Sequence, residues 1–160
     1  MRAAVLLLGM AAAAAAQNRL DEAVALFEQR QYAESAALLA GVVAAEPGNA
    51  CAQAYFGVAL ANANGDLDGA ITHLERAATL DPGSSRYQVW LGSIYAAKAG
   101  QAGLFKAASL AGKAKAAFER AVALDPASVD AREALLQYYV NAPGVAGGSF
   151  ARAREQAAAI

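Results

Sequence analysis

The sequence has very few of the residues that build metal centres and disulfides. Its 160 residues include one cysteine, Cys51, and one histidine, His73. A single cysteine excludes an intramolecular disulfide, and no pair of Cys or His residues has the spacing of a zinc site. Cys51 lies among alanines at the start of an apolar segment, where it is expected to pack as a small hydrophobic residue. We therefore expect no metal and no other cofactor.

An excess of charge of one sign is also lacking. Thirteen Lys and Arg residues stand against fourteen Asp and Glu residues, which gives a formal net charge of -1. Because nucleic-acid-binding proteins use a basic excess to neutralise phosphates, we expect no nucleic-acid partner. Catalytic patterns are missing as well, since there is no serine nucleophile elbow and His73 is expected to point outward from a helix. The sequence thus predicts a protein that is not an enzyme.

The first sixteen residues form a separate apolar segment. Arg2 is followed by an uncharged run from Ala3 to Ala16, whose small final residues precede polar Gln17. This order is typical of a cleaved secretory signal peptide, although a buried helix or a membrane anchor is an alternative. The run is shorter than the roughly 20 apolar residues that a membrane span needs. We predict a signal peptide over 1–16, no membrane span after its cleavage, and a bacterial protein that is periplasmic or secreted.

Three acidic residues followed by proline divide the rest of the chain: Glu46-Pro47, Asp81-Pro82 and Asp125-Pro126. Each is expected to end a helix, because proline lacks the amide hydrogen and restricts the residue before it. Two residues after each proline comes a residue that can cap the next helix, namely Asn49, Ser84 and Ser128.

Matching stripes of apolar and small residues lie upstream of the three prolines. Their steps of three, four and three residues place each stripe on one helical face. The stripes are Tyr32, Ser35, Leu39 and Val42, then Leu67, Ala70, Leu74 and Ala77, then Ala111, Ala114, Phe118 and Ala121. A last, shorter stripe is expected at Phe150, Ala153, Ala157 and Ile160. Each stripe follows a companion helix, and two companions carry a glycine, Gly57 or Gly92, where the partner helix must approach closely.

This pattern resembles the tetratricopeptide repeat, a helix-turn-helix unit of about 34 residues. Ala70, Ala114 and the three prolines match it, whereas Ser35 replaces the usual alanine and Ala23 the usual glycine. The resemblance implies an all-α fold, a right-handed superhelical solenoid of antiparallel helix pairs. The repeat domain would cover 17–160, with repeats at about 17–49, 50–84 and 85–128 and a partial repeat over 129–160. The implied function is a non-enzymatic interaction scaffold that binds a protein or peptide partner.

In this family the first helices line a concave groove, so the resemblance implies a partner helix or peptide bound there. The candidates are first-helix residues that are not expected to pack within a repeat: Ala54, Val58, Val89, Ser93, Glu133 and Gln137. These residues are small, neutral or acidic. They therefore favour an apolar or weakly polar helix over a terminal carboxylate.

The proline spacing also locates an insertion of about ten residues between Tyr95 and Ala114, relative to the repeat length. All four lysines of the chain lie in or beside it, with no acidic residue among them. One interpretation is a basic docking site formed by Lys98, Leu104, Phe105, Lys106, Lys113 and Lys115. The other is a longer second helix whose Leu104, Ala107 and Leu110 pack inward while the lysines remain solvated.

The end of the sequence suggests an alternative function. Solenoids need polar caps, yet this chain finishes on Ala157-Ala158-Ala159-Ile160. The protein could therefore be a structural or assembly subunit that self-associates through uncapped repeat ends and forms a homo-oligomer.

Overall fold

A computed structural model describes the backbone of residues 2–160 and the side chains of residues 15–144 and 146–160. The described backbone forms eight α-helices and no strand, which confirms the predicted all-α fold. In chain order the helices are α1 (Arg2–Glu28), α2 (Tyr32–Ala45), α3 (Ala50–Asn64), α4 (Leu67–Leu80), α5 (Ser85–Gln101), α6 (Leu104–Leu124), α7 (Val129–Asn141) and α8 (Phe150–Ala157). A 3-10 turn, Gly144–Ala146, precedes α8.

The helices form two compact units, Met1–Leu80 and Asp81–Ile160, with four helices in each. In the first unit α1 packs on α2, α2 on α3 and α3 on α4. In the second unit α5 packs on α6, α6 on α7 and α7 on α8, and α5 also contacts α7. Within each unit short turns join most successive helices, so neighbours in a unit run antiparallel, as the helix-pair pattern predicts.

The helix ends lie where the acidic residue and proline predict them. Helices α2, α4 and α6 each end one residue before the acidic residue. The side chain of Asn49 accepts a hydrogen bond from a backbone amide in the first turn of α3. Ser84 and Ser128 accept the equivalent bonds in α5 and α7. Because these bonds satisfy amides that have no partner inside the helix, the predicted caps are confirmed.

The three second-helix stripes are buried and form much of the core. Their buried members are Ser35, Leu39, Val42, Ala70, Leu74, Ala77, Ala114, Phe118 and Ala121. The first residue of each stripe is only half-buried. Cys51 packs against the apolar cluster of the first unit, as expected of a small hydrophobic residue.

The prediction of a fourth stripe is wrong. Ala153 is buried, but Phe150, Ala157 and Ile160 are exposed. Helix α8 has only eight residues and ends at Ala157, so Ile160 lies beyond it. Such a short helix turns one small residue inward and leaves its ends in solvent.

Two departures from the repeat pattern occur together in the first unit. Ala23 and Ser35 are both fully buried. The Ser35 hydroxyl donates a hydrogen bond of 2.8 Å to the carbonyl oxygen of Ala23. A buried hydroxyl without a partner would cost about 1–3 kcal/mol, and this bond removes that penalty.

The signal-peptide prediction concerns residues whose side chains mostly lie outside the described residues. Helix α1 runs from Arg2 to Glu28, and its side chains are described from Ala15 onward. Cleavage after Ala16 therefore stays a prediction. In the part of the chain that the structure describes, no helix has both the length and the hydropathy needed to cross a membrane.

Gly57 and Gly92 lie at close helix-helix approaches, as predicted. A β-carbon on Gly57 would lie 2.8 Å from the carbonyl oxygen of Ala70 on the paired helix. One on Gly92 would lie 2.7 Å from the ring of Phe118. Glycine is therefore required here for space, although it is a poor helix former.

We expect Gly57→Ala to lower the free energy of unfolding by about 1 kcal/mol, because the clash with backbone exceeds the gain in helix propensity. Gly41→Ala is the matched control, since Gly41 lies within α2 and no atom is within 4 Å of its added β-carbon. The control should gain roughly 0.5–1 kcal/mol. Urea unfolding of both variants measures the difference, and equal shifts would show that the close approach at Gly57 does not constrain the fold.

Candidate functional site

The insertion lengthens both helices of the α5/α6 hairpin. Helix α5 has 17 residues and α6 has 21, whereas α3 has 15 and α4 has 14. Helix α7, which contacts both α5 and α6, has 13 residues. At 1.5 Å per residue, α5 is longer than α7 by about 6 Å, or roughly one turn. The longer helices of this hairpin therefore provide additional side-chain surface that a repeat of ordinary length would not have.

This surface borders a cavity of about 560 Å³ in the second unit. The cavity lies among α5, α6, α7 and the turn that precedes α8, and we call it the second-unit cavity. It is lined by Ser93, Ala96, Ala99, Gly100, Leu104, Ala107, Ala108, Ala111, Phe118, Ala134, Gln137, Tyr138, Asn141, Ala142, Pro143 and Ala146. Half of these residues are alanine and none is charged. The cavity is therefore suited to apolar groups.

Two aromatic residues fix the cavity's shape where α6 meets α7. The ring centroids of Phe118 and Tyr138 are 6.0 Å apart. The Tyr138 hydroxyl lies 2.9 Å from the carbonyl oxygen of Ala111 and 2.5 Å from that of Ala146. Its one hydrogen is shared between these two acceptors, so Tyr138 ties α7 both to α6 and to the turn. Burial, with the nearby Glu119 and Tyr139, raises the pKa of Tyr138 and keeps this donor protonated.

Besides Tyr138, polar residues of the cavity are engaged within their own helices. The Ser93 hydroxyl donates to the carbonyl oxygen of Val89 at 2.9 Å. The Asn141 amide donates to the side-chain oxygen of Gln137 at 3.3 Å. These groups can orient an incoming chain at the rim, while the alanine surface provides the contact area.

A second, more polar cleft of about 420 Å³ lies in the first unit and includes His73. His73 Nδ1 is 2.7 Å from the side-chain oxygen of Gln53, whose amide nitrogen donates to the carbonyl oxygen of Pro47 at 3.0 Å. Because that carbonyl can only accept, the Gln53 oxygen faces His73, and Nδ1 carries the hydrogen. The His73 ring also packs on Phe56, with centroids 4.6 Å apart.

The prediction that His73 points outward is therefore wrong. The ring is half-buried because α4 presses it onto α3, and it serves to satisfy a buried glutamine. Burial lowers the pKa of His73, and the nearby Asp66 carboxylate opposes this shift only in part. Among the described residues, no group of three or more His, Cys, Asp or Glu side chains could hold a metal ion.

The lysine-rich insertion combines features of both interpretations. The longer second helix is present, and Leu110 is buried in it. Leu104, however, does not pack into the core. Leu104 is 82% exposed and lines the mouth of the cavity, and Phe105 is 92% exposed. The docking role of this segment stays a prediction.

The four lysines of the insertion have different surroundings. Lys106 is exposed and Lys98 is half-buried. The Lys113 ammonium lies 5.2 Å from the centroid of the Tyr95 ring. Lys115 pairs with Glu119 at 2.8 Å, and the Glu119 carboxylate also accepts a hydrogen bond from Tyr139 of α7. None of the four lines the cavity.

A model of the tetratricopeptide repeat matches residues 20–85 and 63–112, which together make up more than half of the chain. The chain belongs to the tetratricopeptide repeat (TPR) family. A search of curated proteins found no significant match.

Solved TPR structures resemble this chain at low sequence identity. A thermophilic TPR protein of Thermus thermophilus is 17% identical, with a TM-score of 0.76 over 90% of this chain and 73% of that one. MamA is 19% identical, with a TM-score of 0.69 over 89% of this chain and 78% of that one. The first TPR of Spaghetti (RPAP3), bound to the HSP90 peptide SRMEEVD, is 18% identical, with a TM-score of 0.63 over 77% of this chain and 89% of that one.

The chain also matches the O-GlcNAc transferase of Thermobaculum terrenum at 23% identity, with a TM-score of 0.68 over 79% of this chain. It spans only 22% of the length of that protein. At these identities the structural likenesses establish the TPR fold alone.

The predicted groove residues of the TPR first helices do not form one group. Ser93 and Gln137, on α5 and α7, both line the second-unit cavity. Glu133 is exposed and Val89 is half-buried, but neither lines the cavity. Val58 is half-buried and lies in the first unit.

Ala54 must be withdrawn from the groove residues. It is fully buried, so its side chain is not available to a partner. Helix α3 contacts α1, α2 and α4, and a side chain as short as a methyl group does not reach past these neighbours.

We expect Tyr138→Phe to lower the free energy of unfolding by about 1 kcal/mol, since two carbonyl oxygens lose their shared donor. Tyr32→Phe is a suitable control, because the Tyr32 hydroxyl makes no hydrogen bond to any described residue, and it should change stability by less than about 0.5 kcal/mol. Thermal unfolding compares the two variants. An equal effect of both would mean that the Tyr138 hydroxyl does not hold the cavity together.

Proposed function

We propose that this TPR protein is a non-enzymatic scaffold or adaptor that binds a helix or peptide of another protein. One observation carries the proposal: Ser93 and Gln137, from two successive first helices, line the same apolar cavity. A helix or peptide lying across α5 and α7 could place two or three apolar side chains there. Such anchoring in a desolvated pocket supplies most of the energy of many protein interfaces.

Two further facts support a peptide partner. Membership of the TPR family makes binding a more natural function than catalysis, since a repeat array provides extended surface. The structural neighbour from Spaghetti (RPAP3) was solved with a bound peptide, although the likeness to it concerns the fold.

The proposal includes export. The order of Arg2, the apolar run and the small residues before Gln17 supports a signal peptide over 1–16. The adaptor would then work in the periplasm of a bacterium or outside the cell, and its partner would be an exported or membrane-attached protein.

Self-association is the second candidate function. It is favoured by large apolar side chains that remain exposed near the end of the chain, Phe150 at 71% and Ile160 at 54%. A second copy could cover them and form a homo-oligomer.

Photo-crosslinking from the cavity tests the scaffold proposal. A photoreactive residue in place of Ser93 should trap a partner protein in living cells, because Ser93 is exposed at the cavity. The control position is Ala37, which is exposed on α2. A partner trapped from Ser93 and not from Ala37 is the expected result. A crosslink between two copies of this chain would favour self-association, and the absence of any product would count against the scaffold.

The mature N-terminus tests export separately. Mass spectrometry of the protein from the periplasm or medium should find Gln17 as the first residue. Ala14→Asp combined with Ala16→Asp should block this cleavage, because signal peptidase sites require small residues there. A full-length protein that begins at Met1 and stays in the cytosol would contradict the prediction.

A further inference from the structure

We propose that the turn end of the α5/α6 hairpin binds the surface of an anionic lipid bilayer. Leu104 and Phe105 enter the bilayer interface, while Lys98 and Lys106 contact the lipid phosphates. We call the segment from Lys98 to Lys106 the hairpin tip. The contact is peripheral rather than membrane-spanning, and it does not depend on what the second-unit cavity binds.

The first line of evidence is the exposed apolar surface of the hairpin tip. Helix α5 ends at Gln101 and α6 begins at Leu104, so two residues link the helices. From Gln101 to Lys106 every residue except Ala102 is exposed. Leu104 is 82% and Phe105 is 92% exposed, the largest exposures among the large apolar residues described. Two such neighbouring side chains are unfavourable in water, and insertion into an apolar phase removes that cost.

The second line of evidence is the charge of the hairpin. Residues 82–118 contain no Asp or Glu. Lys98 lies in the last turn of α5, and Lys106 is exposed in the first turn of α6. Because the stem of lysine is long and apolar, its ammonium can reach the lipid phosphates while the stem lies along apolar surface. The attraction of lysines to anionic headgroups adds to the insertion of apolar side chains.

The third line of evidence is the depth of these residues along the helix axes. Leu104, Phe105 and Lys106 point to different sides of α6, since each residue turns the helix by about 100°. Their backbone positions nevertheless differ by only about 3 Å along the axis, at 1.5 Å per residue. Lys98 lies about 4.5 Å from the end of α5, by the same rise. A bilayer that meets the hairpin end-on therefore reaches all four residues at nearly the same depth, whichever side of a helix they occupy.

Two other occupants fit the hairpin tip less well. A second copy in a symmetric end-to-end contact would bring Lys98 and Lys106 toward the same lysines of its partner, and like charges repel. A stable protein complex buries about 800 Å² on each partner, whereas the tip offers only two exposed large apolar side chains. A bilayer is fluid, so it needs no surface of matching shape.

Vesicle binding of the mature chain, residues 17–160, tests the proposal, since that chain lacks the apolar run before Gln17. The vesicles contain phosphatidylcholine alone, or phosphatidylcholine with an equal amount of phosphatidylglycerol. Bound protein is measured by cosedimentation. The protein should bind the phosphatidylglycerol vesicles about tenfold more tightly at low salt, and high salt should reduce this preference because it screens the charges.

Single substitutions test the hairpin tip itself. Phe105→Ser should weaken binding to the phosphatidylglycerol vesicles about tenfold or more, because the ring no longer enters the apolar phase. Its matched control is Phe150→Ser, since Phe150 is 71% exposed on α8. Lys106→Gln should weaken binding about fivefold. Its control, Arg154→Gln, removes one charge from an exposed position of α8 and should change binding less than about twofold.

A tryptophan reporter shows which side chain enters the lipid. Phe105→Trp and Phe150→Trp are each made in a chain that also carries Trp90→Phe, which leaves one tryptophan in each protein. When phosphatidylglycerol vesicles are added, the emission of the Phe105→Trp protein should shift to shorter wavelength, whereas that of the Phe150→Trp protein should not. Circular dichroism confirms that every protein used is folded.

Three results would overturn the inference. Absence of binding, or equal binding to both kinds of vesicle, would refute an anionic bilayer as the partner. A loss of binding as large in the α8 controls as in the tip variants would refute the tip as the binding surface. A protein trapped in cells by a photoreactive residue at position 105, without vesicle binding, would assign the tip to a protein partner. Crosslinking from Ser93 tests the scaffold proposal independently of all three.

Discussion

Close helix packing depends on small residues at the points where two helices cross. Gly57 and Gly92 leave no room for a β-carbon, since the paired helix already occupies that space. Ala70 and Leu74 of α4 lie against Gly57, and the Phe118 ring of α6 lies against Gly92. Because these crossings fix the distance between the helices of a pair, they also set where the exposed faces of those helices lie. In the second unit, the crossing at Gly92 positions Phe118, which also lines the cavity.

The positions of most helices could be predicted from the sequence, because local sequence signals act strongly at helix ends. Proline after an acidic residue ended α2, α4 and α6, and Asn49, Ser84 and Ser128 capped the helices that follow. The three buried stripes followed from helical spacing. The fourth failed because spacing alone does not tell how long a helix is, and α8 is too short to bury Phe150.

Only part of the candidate site could be predicted from the sequence. First-helix register pointed to Ser93 and Gln137, which line the cavity, but it also pointed to Ala54, which neighbouring helices cover. Half of the cavity-lining residues are alanine, and the sequence does not show whether an alanine lines a cavity or packs against a neighbouring helix. His73 was misjudged because its polar neighbours in sequence hide its contacts with Gln53 and Phe56 across the helix pair. The insertion was a second signal, since its length and its lack of acidic residues are visible in the sequence.

The alanine lining of the second-unit cavity has a consequence for selectivity. Alanine has no side-chain torsion that changes its shape, so the alanine half of the lining cannot rearrange around a guest, and holding a guest freezes no rotamers there. Only movement of whole helices could alter the contour, and the Tyr138 hydroxyl, bound to both Ala111 and Ala146, resists such movement. We therefore expect the cavity to select among partner side chains by their size and shape.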